Sequence, residues 1–318
     1  MRNTFIDSSR AILIFLVVLG HFLERFIGYE NEVNAVILKT IYFVHMPAFI
    51  FISGALFKSD NMARKLVFFL SLLIPFQVFY IAFDYFVNGH FSLAWLLKPY
   101  WILWYLAGMI AWSVITPILQ KTKLAVLISI ILSVVIGLSP IDNYIFSIGR
   151  IFTFLPFFVI GSIYGKQILD AIKSKKSYAF IGMIILILIM LISKFTDIDI
   201  GWLYGSMSFK QLATTNMMGV LTRLSVFAVS CLGIFAILSL SQLFRAKFIS
   251  LGQHTLPVYL FHGFAVIILA CFLKFENNFQ LGFIVSVILS IIICYILSLQ
   301  IFDKLIKAIS SILMRFAK

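Results

Sequence analysis

An all-α, polytopic membrane helical bundle is what this sequence predicts, and three observations predict it. Of the 318 residues, 62% are hydrophobic and 12% charged, where a soluble domain carries about a quarter charged residues. The apolar residues are gathered into about ten runs, each near the ~20 residues that cross a bilayer core. The charges between those runs are sorted by sign. Alternating the runs leaves seventeen Lys or Arg with four acids on one side, and seven Lys or Arg with eight acids on the other. The positive-inside rule then puts both termini in the cytoplasm and the acidic loops outside, in a cell (inner or plasma) membrane.

The ten expected spans are 9–27, 40–57, 66–87, 100–119, 123–140, 149–166, 178–195, 216–240, 254–273 and 279–302. The connections are too short for a separate soluble domain, so residues 1–302 form one membrane domain. Residues 196–215, with Trp202, Tyr204 and several Gly and Ser, read as an outer lid or interfacial re-entrant segment. The tail 303–318 sets Lys304, Lys307, Arg315 and Lys318 among Ile, Leu and Phe. It reads as a basic amphipathic helix on an anionic inner leaflet. The net charge of +13 is explained by loop asymmetry, so no nucleic-acid partner is expected. Cys231, Cys271 and Cys294 lie in apolar runs without paired spacing and suggest neither disulfides nor a metal site. No cleavable leader is expected; the first span serves as its own signal.

Five places break the apolar pattern. In the first span ten residues separate Arg10 from His21, all apolar or Gly. Eleven helical steps make about three turns, so both side chains share a face, roughly 16 Å apart along the axis. Glu24 extends that stripe by another turn. Ionisable groups at such depth are costly and point to function; the plainer alternatives are an interfacial anchor for Arg10 and a helix tie for His21. In the second span His45 precedes Pro47, which frees a carbonyl, while Ser53-Gly54 allows close approach of another helix. Trp104 and Tyr105 open the fourth span, as belt anchors or as a stacking platform for a sugar ring. Arg150 starts the sixth span, and Arg223 lies inside the eighth, where a guanidinium asks for a carboxylate or a bound anion. Asp84 and Glu24 are the candidate carboxylates. Tyr259 and His262, three apart, share a face of the ninth span. Three imidazoles on three helices suit removal of a proton from a hydroxyl near neutral pH. No nucleophile elbow, phosphate-cradling Gly loop or metal-ligand spacing is present.

These motifs, in this order, resemble the integral-membrane acyltransferase type 3 family, and within it the branch of sugar O-acetyltransferases similar to fucose O-acetylase. The resemblance rests on Arg10 to His21, Phe43-Val-His45-Met-Pro47 running to Ser53-Gly54, Leu103 to Leu106, Arg150 with Phe154 to Phe158, and Leu251-Gly252 with Leu256 to His262. It implies transfer of an acetyl group from cytosolic acetyl-CoA to a hydroxyl of a cell-envelope polysaccharide or its lipid-linked precursor; the residue spacing suggests no metal. It also implies essential roles for Arg10 and His21. The family's basic pair after the second span is matched here only by Arg64 and Lys65.

The expected assignment follows. His21, Arg10 and Glu24 are catalytic; Arg10, Arg64 and Lys65 hold the donor's phosphates. His45, Trp104, Tyr105, Arg150, Arg223, Tyr259 and His262 bind the acceptor. The alternative from another class is a carrier or flippase for lipid-linked saccharides that uses the buried cations without chemistry. A haem bundle with His21 and His45 or His262 as axial ligands is the third reading.

Overall fold

The computed structural model describes residues 4–89, 91–244, 249–275 and 277–315. Arg2, Arg245, Lys247, Glu276 and Lys318, used above in sorting the charges, lie outside them. The described residues form thirteen α-helices and no strands. Lipid offers no partner to a free N–H or C=O, so a chain this apolar satisfies its backbone within each helix. Nine helical stretches among the described residues are long and apolar enough to cross a membrane. The chain is therefore a multi-pass membrane protein with an all-α bundle.

In order, the helices are α1 (Thr4–Phe26), α2 (Glu32–Ala55), α3 (Met62–Asn88), α4 (Trp104–Leu119), α5 (Ala125–Val135), α6 (Ile148–Ser174) and α7 (Tyr178–Phe195). Then come α8 (Ile200–Tyr204), α9 (Asn216–Ser241), α10 (Ile249–Gln253), α11 (Thr255–Phe272), α12 (Phe279–Leu297) and α13 (Gln300–Met314). The fifth expected span is shorter than the sequence suggests. α5 and its 3-10 extension end at Leu138. At about 1.5 Å per residue this is roughly 21 Å, short of the ~30 Å core. Pro140 supplies the reason. It pushes Ser139 into extended backbone (φ −60°, ψ 132°), and the helix stops before it.

The chain divides into two units. The first comprises residues 1–49, 167–198 and 228–303. Here α1 packs against α10, α11 and α12, with Leu13, Ile14 and Val18 fully buried. α10 comes so close to α1 that a side chain at Gly252 would overlap the Asp7 carbonyl. In lipid such close packing, rather than escape from water, holds helices together. Gly28, at φ 78°, ends α1 in the left-handed conformation. The buried Asn34 side chain donates to the Leu23 and Gly28 carbonyls at 3.1 and 2.7 Å and so ties the start of α2 to the end of α1.

The second unit comprises residues 50–166, 199–227 and 304–318. Gly54 and Gly161 pack reciprocally: a Cβ on either would strike the Phe158 or the Phe51 carbonyl. The close approach expected at Ser53-Gly54 is therefore present, and α6 is the partner. Gln77 of α3 fixes the entry to α4, donating to the Trp95 and Lys98 carbonyls and accepting from the Tyr100 N–H. The segment 196–215 is packed rather than loose, with Trp202, Leu203 and Phe209 buried. Asp199 caps α8 by accepting from the Gly201 N–H at 2.7 Å, and Gly205 ends it at φ 68°. In α13, Ile306 and Ser310 are buried while Lys304 and Lys307 are exposed.

Candidate active site

The first unit gathers Arg10, His21, Glu24, His45, Tyr259 and His262. Arg10 and His21, three turns apart on α1, both meet α11. The Arg10 Nη2 donates to the Thr255 hydroxyl at 2.5 Å. The His21 ring stacks on His262, with centroids 5.4 Å apart and planes 20° apart. The polar stripe read from spacing alone is thus a real seam along α11, whose own Thr255 and His262 lie seven residues apart.

Glu24 continues the seam to α2. Its Oε2 lies 3.6 Å from His21 Nδ1 and accepts the Tyr42 hydroxyl proton at 2.7 Å. Tyr42 in turn meets the edge of His45 at 4.9 Å. The His45 Nδ1–H donates to the Ile41 carbonyl at 2.7 Å. A carbonyl only accepts, so in the neutral ring the lone pair is on Nε2. His262 is fixed the same way, its Nδ1 lying 2.9 Å from the Val258 and 2.8 Å from the Tyr259 carbonyl. Tyr259 therefore serves His262 through its backbone, and its ring lies 6.5 Å away. The result is a continuous polar chain, His262–His21–Glu24–Tyr42–His45, across three helices.

Its ends are buried: His45 is 3% and His262 0% exposed. Its middle is less buried, with the His21 and Glu24 side chains 14% and 23% exposed. The expected trio of imidazoles is assembled. Tyr42 and Thr255 were not singled out by sequence, although Tyr42, three residues before His45, shares its helical face.

Trp104, Tyr105, Arg150 and Arg223 belong to the second unit and form a different kind of cluster. Trp104 is buried, stacks on Phe154 at 5.3 Å and lies under the Arg150 guanidinium at 5.2 Å. It is a core ring rather than an interfacial anchor. Tyr105 pairs its hydroxyl with Ser53 at 2.6 Å. Arg150 Nη1 reaches the Trp101 carbonyl at 3.5 Å. The backbone around it is held at positive φ at Trp101, Phe146 and Ser147 (31°, 48° and 57°), conformations that L-residues adopt at a cost.

The carboxylate expected beside Arg223 is replaced by neutral partners. Its Nη1 donates to the Thr153 hydroxyl at 2.8 Å and its Nη2 to the Met207 carbonyl at 3.3 Å. The guanidinium also lies over Trp202 and Phe209, at 5.5 and 5.7 Å. The Thr153 hydroxyl in turn donates to the Gly205 carbonyl at 3.1 Å. Of the two candidate carboxylates, Asp84 accepts from Asn88 instead, and Glu24 from Tyr42.

The basic pair Arg64 and Lys65 starts α3, also in the second unit. Lys65 donates to Asp60 at 2.6 Å and to the Lys58 carbonyl, and lies 5.5 Å from the Phe57 ring. Its hydrogen bond to Asp60, with the added attraction of its charge, holds that carboxyl below the usual carboxylate range. Arg64 is exposed. Beside them Phe57, Lys58, Ser59, Asp60, Gln120 and Ser162 line an open cleft of about 420 Å³.

Comparison with known proteins gives one finding of family. The sequence matches the family model for an acyltransferase domain over residues 3–299, nearly the whole chain. No curated protein and no solved structure matches it.

Proposed function

The chain belongs to the acyltransferase type 3 family of membrane proteins, and from that premise we propose a membrane O-acetyltransferase. It moves the acetyl group of cytosolic acetyl-CoA to a hydroxyl of a cell-envelope polysaccharide or its lipid-linked precursor. The observation that carries this reading is the His21–Glu24–Tyr42 chain, a base with a carboxylate behind it on a partly open face. The fucose O-acetylase-like resemblance supports acetyl as the group and a saccharide as the acceptor.

In this reading Arg10 holds the donor's phosphates at the cytoplasmic end of α1, with Thr255 fixing its guanidinium. Lys65 is already engaged by Asp60, and Arg64 starts a helix of the other unit, so Arg10 is the cation assigned that part. The acetyl-pantetheine arm follows the seam for about 16 Å toward His21. His21 takes the proton from the acceptor O–H as that oxygen attacks the thioester carbonyl. The C–O bond forms, the C–S bond breaks, and the departing thiolate takes the proton back from His21. Glu24 stabilises the imidazolium in between; its 3.6 Å separation from Nδ1 is the loose geometry common before substrates bind.

The test is thiol release from acetyl-CoA by the purified protein in nanodiscs, with and without purified surface polysaccharide. Acceptor-dependent release is expected, and His21→Ala should lower it by about 10²-fold or more. Normal release by a stably inserted His21→Ala protein removes the base. Polysaccharide transport without thiol release would favour the carrier reading instead.

A further inference from the structure

His262 is more constrained than its neighbours in the polar chain. Both backbone carbonyls at its Nδ1 accept, so that nitrogen carries the hydrogen. In the neutral ring Nε2 is then a bare acceptor. The residue is 0% exposed, and Nε2 has no hydrogen-bond partner among the described residues. A buried acceptor left unmade costs about 1–3 kcal/mol, and an apolar ring of similar shape would avoid that cost. The bare nitrogen also belongs to the ring stacked on His21, at 5.4 Å.

We infer that His262 Nε2 is a binding position for a hydrogen-bond donor of the substrate, an O–H or N–H group brought in beside His21. The two sources of that chemistry are the hydroxyls of the saccharide acceptor and the amides of the donor's pantetheine arm. Only the identity of these sources rests on the function proposed above; the fixed tautomer and the bare nitrogen do not. The Nδ1 bond sets the ring's orientation, so Nε2 can receive a donor but cannot offer one. A substrate group that only accepts, such as a ring oxygen or a carbonyl, is rejected there.

Two variants separate the nitrogens. In His262→Asn the amide nitrogen can keep the bond to the backbone carbonyls, with nothing at the place of Nε2. In His262→Gln the amide oxygen can reach the place of Nε2, and the backbone bond is lost. Gln should be the less stable protein by thermal unfolding and the more active one, within about threefold of wild type. Asn should lose about tenfold or more. Loss through a raised KM for acetyl-CoA identifies the pantetheine amides; loss in kcat with that KM unchanged identifies the acceptor hydroxyl. Asn as active as Gln, or equal loss in both, overturns the inference.

A readout without turnover covers an inert or unstable variant. Phe261–His262 is the only Phe-His pair in the sequence, so carbonyl-labelled Phe with labelled His selects this ring by NMR. An unprotonated Nε2 that shifts on adding coenzyme A or polysaccharide fragments is expected. A proton on Nε2, or no shift with either probe, overturns the inference even if acetyl transfer is established. Conversely, a wild-type protein that shifts at Nε2 but releases no thiol sinks the transferase reading and leaves the binding position standing.

Discussion

The two units each bury a polar cluster, and the clusters are built from opposite materials. The first unit joins three imidazoles, a carboxylate and a phenol end to end, every member able to give or take a proton. The second unit sets two guanidiniums against indole and phenyl faces, a hydroxyl and backbone carbonyls. Guanidinium stays charged at any working pH, so this cluster can hold but cannot exchange protons. The first cluster is therefore the one with groups suited to chemistry that moves a proton. The second is suited to fixing backbone: Arg223 and Thr153 together bind Met207, Gly205 and the rings of Trp202 and Phe209.

The sharpest way to break this comparison is to exchange the readouts. Arg223→Ala removes two hydrogen bonds, two cation–π contacts and most of a large buried side chain. Losses of this kind sum to about 3 kcal/mol or more. The variant should unfold at clearly lower temperature, and segment 199–209 should become cleavable by protease. His21→Ala should lose turnover and melt close to wild type. An Arg223→Ala protein of normal stability and no turnover would move Arg223 from the scaffold into the chemistry.

A smaller effect is expected at Tyr42. Tyr42→Phe keeps the ring against His45 and removes only the hydroxyl that donates to Glu24 at 2.7 Å. A hydrogen bond to a charged group contributes about 1.5–3 kcal/mol, so kcat should fall about tenfold or more with KM for acetyl-CoA little changed. Unchanged kcat would cut the polar chain at Glu24 and reduce it to His21, Glu24 and His262.

Much of the first cluster was legible because cost exposes it. Arg10, His21, Glu24, His45 and His262 interrupt runs of Leu, Ile, Val and Phe, and helical spacing placed Arg10 and His21 on one face. Tyr42 escaped because a tyrosine is unremarkable in a chain with twelve of them and thirty-five phenylalanines. Its part depends on an eighteen-residue separation from Glu24 that no periodicity reveals. Arg223 was legible as an anomaly but not in its solution. The rule that a buried cation seeks a carboxylate or a bound anion left Asp84 and Glu24 as the candidate carboxylates. The fold instead brought Thr153 from seventy residues away, with two aromatic faces. The short α5 was missed because hydropathy counts residues, whereas Pro140 decides where the helix stops.

The smallest expected effect tests whether surface charge belongs in the comparison at all. Asp60 sits outside the spans, and Lys65 depresses its pKa. A carboxyl with a depressed folded pKa contributes its stabilisation above the usual carboxylate value of about 3.9, and loses it as pH falls through the lower folded value. Amide exchange protection in 58–62 should therefore be flat from neutral pH down to about 4 and weaken only in stronger acid. Asp60→Asn should remove that acid dependence while leaving the melting temperature at neutral pH within error, because exposed pairs are screened by water and salt. A measurable drop in acetyl-CoA turnover in this variant would show that the Asp60–Lys65 contact sets the position of Lys65 for a ligand. In that case the basic pair would rejoin Arg10 in holding the donor.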